Sequence, residues 1–193
     1  MNQGPSGCQE GNAVEVSSAP FDGTHPDTKT VMLSNIGLNN WQKSGVVING
    51  DVDVNLSNSN IGPSATQLSL AANSVQVGFG ATAKVNNNKI AGNSWCCSSA
   101  AATGVLLFSS GPGTQISRND IDGNADVGIY VFTDGATVDK NKVYESGADG
   151  FYDIGIGDYG IGNVFEKNKV AGYGTPYDGV VGDKNKVKVF GPE

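Results

Sequence analysis

Three aspartates, Asp149, Asp153 and Asp178, are the first residues whose types and spacing could do chemistry. With Asp158, Tyr152 and Tyr159 they form the densest acidic and aromatic region of the chain. Aligning the phrase around Gly128 with those around Gly150 and Gly179 places Asp149 and Asp178 at equivalent positions, each just before a glycine. On stacked repeats, carboxylates about 5 Å apart could share a proton, act as a general acid and base, or hold Ca²⁺. The competing reading is a solvated turn in which Asp caps backbone amides before Gly. Other catalytic sets are thin. The single histidine, His25, lies in Thr24-His25-Pro26, and no CxxC or HxxxH spacing exists. No transition-metal site or organic cofactor is therefore expected, which leaves Ca²⁺ as the one cofactor to consider.

Two surfaces could bind rather than react. In Gly128-Ile129-Tyr130-Val131-Phe132, inward Ile129 and Val131 send Tyr130 and Phe132 outward. The same register sends Leu106 and Phe108 outward one repeat earlier and Tyr152 one repeat later. Aromatic rings in line suit a sugar face or a second copy of the chain, unless a loop folds over them. A second column, Arg118, Lys140, Lys167 and Lys184, runs beside Asp139, Glu166 and Asp183. It reads as solvated salt bridges, or as a basic track for a polyuronate.

Composition bounds these readings. The 193 residues suit one domain, and 28 Gly with about 20 Asn require a chain that turns often. A net charge of -7 gives no positive footprint for nucleic acid. No apolar run approaches the ~20 residues of a membrane helix, so no membrane partner is expected. No signal peptide follows Met1, and the polar Gly/Ser-rich start reads as a start codon added to a mature or trimmed chain. Cys8, Cys96 and Cys97 allow two readings. Cys8 bridges one of the others in an exported protein, since adjacent cysteines rarely pair, or all three are small buried hydrophobes.

The elements that must position these residues follow from a repeat. The phrase apolar-polar-polar-Asn-polar-apolar runs Val85–Ile90, Ile116–Ile121, Val138–Val143 and Phe165–Val170, with a partial copy at Gly182–Val187. An earlier copy, Leu56–Ile61, has Ser59 in place of Asn. The closing apolar residues are 29, 31, 22, 27 and 17 positions apart, too short for helical-pair repeats. Between them lie period-two runs such as Gly45-Val46-Val47-Ile48 and Gly104-Val105-Leu106-Leu107. A coil of two or three short strands cannot bury its apolar face alone, so coils must stack. The fold class expected is all-β, a right-handed single-stranded parallel β-helix over residues 1–193. Asn88, Asn119, Asn141, Asn168 and Asn185 would form a structural ladder at an inward turn.

These phrases resemble the repeat of right-handed parallel β-helix proteins of the pectate-lyase-like superfamily, over roughly residues 10 to 190. Trp41–Val46 and Asn73–Ala81 look like a secreted bacterial branch. The resemblance implies a secreted protein in a carbohydrate context. The His-Gly and Arg-x-Lys elements of polygalacturonases and the Arg-x-Pro-x-x-Arg element of pectate lyases are missing, and Arg118 is the only arginine. Such solenoids are usually capped by an amphipathic helix, yet no 3.6-period segment precedes Val31. The first coil is then covered by loops or a partner, or coils are missing. Two functions remain open. One is an extracellular module that binds polysaccharide or self-assembles through Phe108, Tyr130, Phe132 and Tyr152, with Arg118 as a further contact. The other is a lyase, hydrolase or epimerase using Asp149, Asp153 and Asp178.

Overall fold

The computed structural model describes residues 11–18, 28–65, 70–145, 152–182 and 184–187. Cys8, His25, Asp149, Gly150 and Asp183 lie outside the described residues. Each sequence repeat becomes a coil of three short strands, and each strand pairs in parallel with its counterpart in the next coil. Sheet A takes the first strand of each of seven coils: Val14–Ser17, Ser44–Asn49, Asn73–Gly78, Thr103–Phe108, Val127–Phe132, Ile154–Asp158 and Thr175–Asp178. Sheet B takes the second strand of coils 1 to 6: Lys29–Ser34, Val52–Ser57, Thr82–Asn86, Gln115–Ser117, Thr137–Asp139 and Val164–Glu166. Sheet C takes the third: Gly37–Leu38, Asn60–Ile61, Lys89–Ala91, Asp120–Asp122, Lys142–Tyr144, Lys169–Ala171 and Lys186–Val187. Among the described residues no strand pairs with another strand of its own coil, so the ladders run between coils.

The core is three stacked columns. Val46, Val75, Val105, Ile129 and Ile156 come from sheet A; Leu56, Val85, Ile116, Val138 and Phe165 from sheet B; Ile61, Ile90, Ile121, Val143 and Val170 from sheet C. All are buried. β-Branched residues dominate because they pack on a pleated surface at little rotamer cost. Coil 1 is less covered: its sheet A strand alternates half-buried and exposed, whereas that of coil 2 is almost wholly buried.

Sheet A needs a small residue where it crosses sheet C. A Cβ on Gly45 would stand 2.6 Å from Ile61 Cγ2, and one on Gly104 2.7 Å from Ile121 Cγ2. The same clash, of Gly128 with Val143 and of Gly155 with Val170, sets the register of coils 5 and 6 and corrects the alignment expected from sequence. Gly128 stacks on Gly155 and then Pro176, as the pairs Ile129↔Ile156 and Ile156↔Tyr177 require, not on Gly150 and Gly179. Gly179 instead adopts a left-handed φ of 68° just after the last sheet A strand.

The turn from sheet B to sheet C is the most regular feature. Its first residue is left-handed in every coil: Asn35, Asn58, Asn87, Arg118, Lys140, Lys167 and Lys184, with φ from 52° to 65°. Asn tolerates this conformation; Lys and Arg pay about 1–2 kcal/mol for it. The next residue turns inward. Asn141 Oδ1 accepts from the backbone N–H of Asn119 (3.0 Å) and from its Nδ2 (3.1 Å), while Asn141 Nδ2 donates to Ile116 O (2.8 Å) and Asn168 Oδ1 (3.1 Å). The pattern recurs from Asn88 to Asn185. In coil 2 Ser59 substitutes, its Oγ donating to Ser57 O at 2.8 Å and accepting from Ile36 N–H at 3.2 Å.

Replacing Asn141 by Ala leaves the buried Ile116 carbonyl and the Asn119 donors without partners. The expected loss is about 3 kcal/mol in urea-unfolding experiments, with a smaller loss for Asn185→Ala at the half-buried end of the ladder.

Candidate functional site

The outward side chains of sheet A form two columns fixed by strand register. One runs Glu15, Val47, Gln76, Leu106, Tyr130, Gly157 and Asp178. The other runs Ser17, Asn49, Gly78, Phe108 and Phe132, and Tyr159 continues it just past the coil 6 strand. Leu106, Phe108, Tyr130 and Phe132 thus share one face, as the alternation requires. Tyr152 does not join the stripe. Gly157 occupies that place, because the coil 6 strand starts five residues later than the Gly150 alignment implies. Tyr152 instead precedes the strand, and its hydroxyl donates to Ser98 O at 2.8 Å.

Tyr159, named from sequence only as part of the acidic and aromatic region, completes the aromatic cluster. Its ring stacks on Phe132 at 5.0 Å and 15° and meets Tyr130 edge-on at 5.3 Å. Tyr130 and Phe132 are 4.4 Å apart, edge to face. The Tyr159 hydroxyl donates to Asp178. Burial, then this bond to Asp178, pushes the Tyr159 phenol well above its ordinary value. Burial and the neighbouring Tyr152 raise Tyr130. Phe79 lies edge-on to Phe108 at 5.8 Å. It holds a left-handed φ of 53°, at an exposed turn after the strand, a costly conformation for an aromatic residue.

Beside Phe79 and Phe108 lies a groove of about 710 Å³ across coils 1 to 4. Val47 and Leu106 contribute its apolar lining; Glu15, Lys43, Asn49, Asn73 and Gln76 contribute polar groups. Lys43 Nζ donates to Ala71 O at 2.7 Å, and burial lowers its pKa. Asn73 accepts from Thr103 Oγ1 at 3.0 Å and donates to Gln76 at 3.3 Å. Three lining side chains keep buried oxygens without a hydrogen-bond partner among the described residues: Asn12 Oδ1, Ser44 Oγ and Asn49 Oδ1. A second hollow of about 530 Å³ lies past Phe132 and Tyr159, against Thr133 and Asp134.

Of the candidate acids, Asp149 lies outside the described residues, and Asp153 and Asp178 are placed as follows. Asp178 stacks on Gly157, not on a carboxylate. Asp153 sits one residue before the coil 6 strand, level with Asp126 of coil 5, and its buried Oδ1 has no partner among the described residues. Asp158 accepts from Gly160 N–H and Asn163 Nδ2. Among the described residues no three His, Cys, Asp or Glu side chains gather to hold a metal ion. Arg118 stands on the edge between sheets B and C, away from the aromatic stripe.

The pairing expected for Cys8 is also corrected. Cys96 is bonded to Cys97. Both lie in the connection between sheets C and A, outside the strand ladders. Asp126, fully buried, clasps this connection at both ends: it accepts from Trp95 N–H at 3.1 Å and from Ala102 N–H at 2.7 Å.

A family model described as the right-handed beta helix region matches residues 25–185. The chain belongs to that right-handed β-helix family. No curated protein and no solved structure matches it significantly.

The tyrosines give the protein an alkaline limit. Burial pushes Tyr177 up to about 12, against smaller opposing effects of the Lys186 and Val170 backbone, and Tyr159 is raised as well. A raised phenol stabilises the fold fully below its unfolded value near 10, and that contribution is lost as pH climbs through the folded value. Melting temperature is expected to hold from pH 7 to about pH 9.5 and to fall between pH 10 and 12. The Tyr159→Phe, Tyr177→Phe double variant should show a flatter decline in the same scan.

Proposed function

We propose that the protein is an extracellular glycan-binding module whose ligand lies along the outward face of sheet A. One observation carries this reading. Phe108, Phe132 and Tyr159 stand in line on successive coils, with Phe108 44% and Tyr159 46% exposed, and this line runs into a groove lined with side-chain amides. Aromatic faces bind the apolar faces of sugar rings, and amides bind their hydroxyls. The three orphaned oxygens of Asn12, Ser44 and Asn49 are acceptors that hydroxyl donors would suit. Charge narrows the ligand class. Glu15, Asp134 and Asp178 flank the face against Lys43 alone among the described residues, which favours a neutral glycan over a polyuronate. The Cys96–Cys97 disulfide supports an oxidising compartment.

A second reading, turnover of the glycan, rests on Asp178, whose carboxylate is held by Tyr159 at one end of the stripe. Calorimetric titration with neutral oligosaccharides tests both readings. Binding is expected without release of shorter products. Phe132→Ala and Tyr159→Ala should each weaken binding about 3- to 10-fold, the worth of one stacked ring. New reducing ends or unsaturated products, abolished by Asp178→Asn, would establish the second reading. Failure of every neutral glycan to bind, with the aromatics buried in a dimer by sedimentation, would replace both with self-assembly.

A further inference from the structure

The connection from coil 3 to coil 4, between Ala91 and Thr103, holds the Cys96–Cys97 bond. The bond joins neighbours in sequence and links no two coils. A crosslink stabilises a fold mainly by restricting the unfolded chain, and it does so more the longer the loop it closes. This one closes the shortest loop a chain allows. The ladders hold the stack, so the bond acts on its own connection alone.

The rest of that connection is anchored without sulfur. Buried Asn93 accepts from Ser64 N–H at 3.1 Å and donates to Ser74 Oγ at 2.9 Å and to Thr103 O at 2.8 Å. Asp126 holds the N–H groups of Trp95 and Ala102. These clamps flank residues 96–101 and involve neither cysteine side chain, so they persist whether the sulfurs are joined or apart. Between them, Ser98 O accepts from the Tyr152 hydroxyl at 2.8 Å. Ser98 directly follows Cys97, so the bond fixes the stretch of backbone that delivers this carbonyl. Tyr152 in turn neighbours Tyr130 of the aromatic face. Access completes the case. Cys96 is exposed and Cys97 half-buried, so a thiolate from solvent reaches the bond in the folded protein. Exposed disulfides are the labile ones, whereas structural ones resist reduction.

We propose that Cys96–Cys97 is a thiol-exchange site, a reversible redox switch that takes a small dithiol as its reductant and releases Ser98 from Tyr152 without opening the stack. One thiolate of the dithiol attacks Cys96 Sγ. The S–S bond breaks, and its electron pair leaves on Cys97 Sγ, which takes up a proton. The second thiol of the reductant then attacks its own sulfur in the mixed disulfide and expels Cys96, which is protonated in turn. The dithiol departs as a cyclic disulfide, and two electrons and two protons have passed to the chain. The peptide between the cysteines is then free to turn, and the carbonyl after it leaves the Tyr152 hydroxyl. The switch stands independently of the glycan reading, because none of its steps needs a sugar.

The test is a dithiothreitol titration of the folded full chain carrying Cys8→Ser, which leaves the pair as its only cysteines. Two thiols are expected to appear without denaturant, and oxidised dithiothreitol should remove them again. Fluorescence should rise in step, because a disulfide quenches the indole beside it, and Trp95→Phe should abolish the rise. The ring signals of Tyr152 and Tyr130 should shift by nuclear magnetic resonance while those of Val105 and Ile129 stay in place. Melting temperature should change by less than about 2 °C, since the bond closes so short a loop. The double variant Cys96→Ser, Cys97→Ser should show the reduced-state tyrosine signals and ignore dithiothreitol. The proposal is overturned if the air-purified chain already carries two free thiols, or if thiols appear only in denaturant. It is equally overturned if reduction lowers the melting temperature by about 10 °C or more, which would make the bond a staple of the fold. Reduction that leaves the Tyr152 and Tyr130 signals unmoved would also overturn it.

Discussion

A buried carboxamide must place two donors and two acceptor lone pairs, and in this fold it can do so only if the next coil sits in one register. Asn119, Asn141 and Asn168 each give one N–H to a backbone carbonyl of the preceding coil and the other to the amide of the next. A slip of one residue would leave these groups unpaired and turn the core valines outward, a double penalty that no alternative stacking escapes. The irregular coil lengths, from 17 to 31 residues between ladder positions, are tolerated for the same reason. The ladder and the strands fix the register, and the connections between sheets C and A absorb the difference.

Register converts sequence into surfaces. Once Ile129 and Ile156 stack, Tyr130 must lie over Gly157, and Phe132 must face Tyr159. Gly157 is what lets the rings gather. A Cβ there would stand 3.0 Å from Tyr159 Cε2, tighter than an ordinary contact, so the bare backbone makes room for that ring. The edge between sheets B and C obeys the same rule with charge. Burial works against ionisation of Asp139, yet hydrogen bonds from Lys140 and Ser117 and the charges of Lys140 and Arg118 outweigh it and hold the carboxyl below its ordinary value. The fold thus presents an acidic aromatic face and a basic edge from one short repeat.

The repeat made the coil, the ladder and the outward course of Leu106, Phe108, Tyr130 and Phe132 legible, because periods of two and a fixed asparagine are local signals. Coil 6 was not legible in the same way. Gly150-Phe151-Tyr152 and Gly155-Ile156-Gly157 both fit the strand phrase, and the crowding of Gly155 against Val170 that decides between them is a contact across the coil. Tyr159 and Asp178 were misplaced as a consequence. The groove was invisible for another reason. Its residues, from Gly11 to Phe108, are spread over four coils and meet only after stacking. The Cys96–Cys97 bond lay beyond a general rule against pairing neighbours, because the connection that holds it belongs to no strand.

The central claim is that the inward asparagines, although in turns, bind the coils as firmly as the strands do. Native-state hydrogen exchange read residue by residue tests it most directly. The account predicts that the backbone amides of Asn88, Asn119, Asn141 and Asn168, each donated to the next amide in the ladder, exchange only with global unfolding, at the same free energy as Val105 and Ile129. Exchange of those four amides at loop-like rates, while the strand amides remain protected, would contradict it.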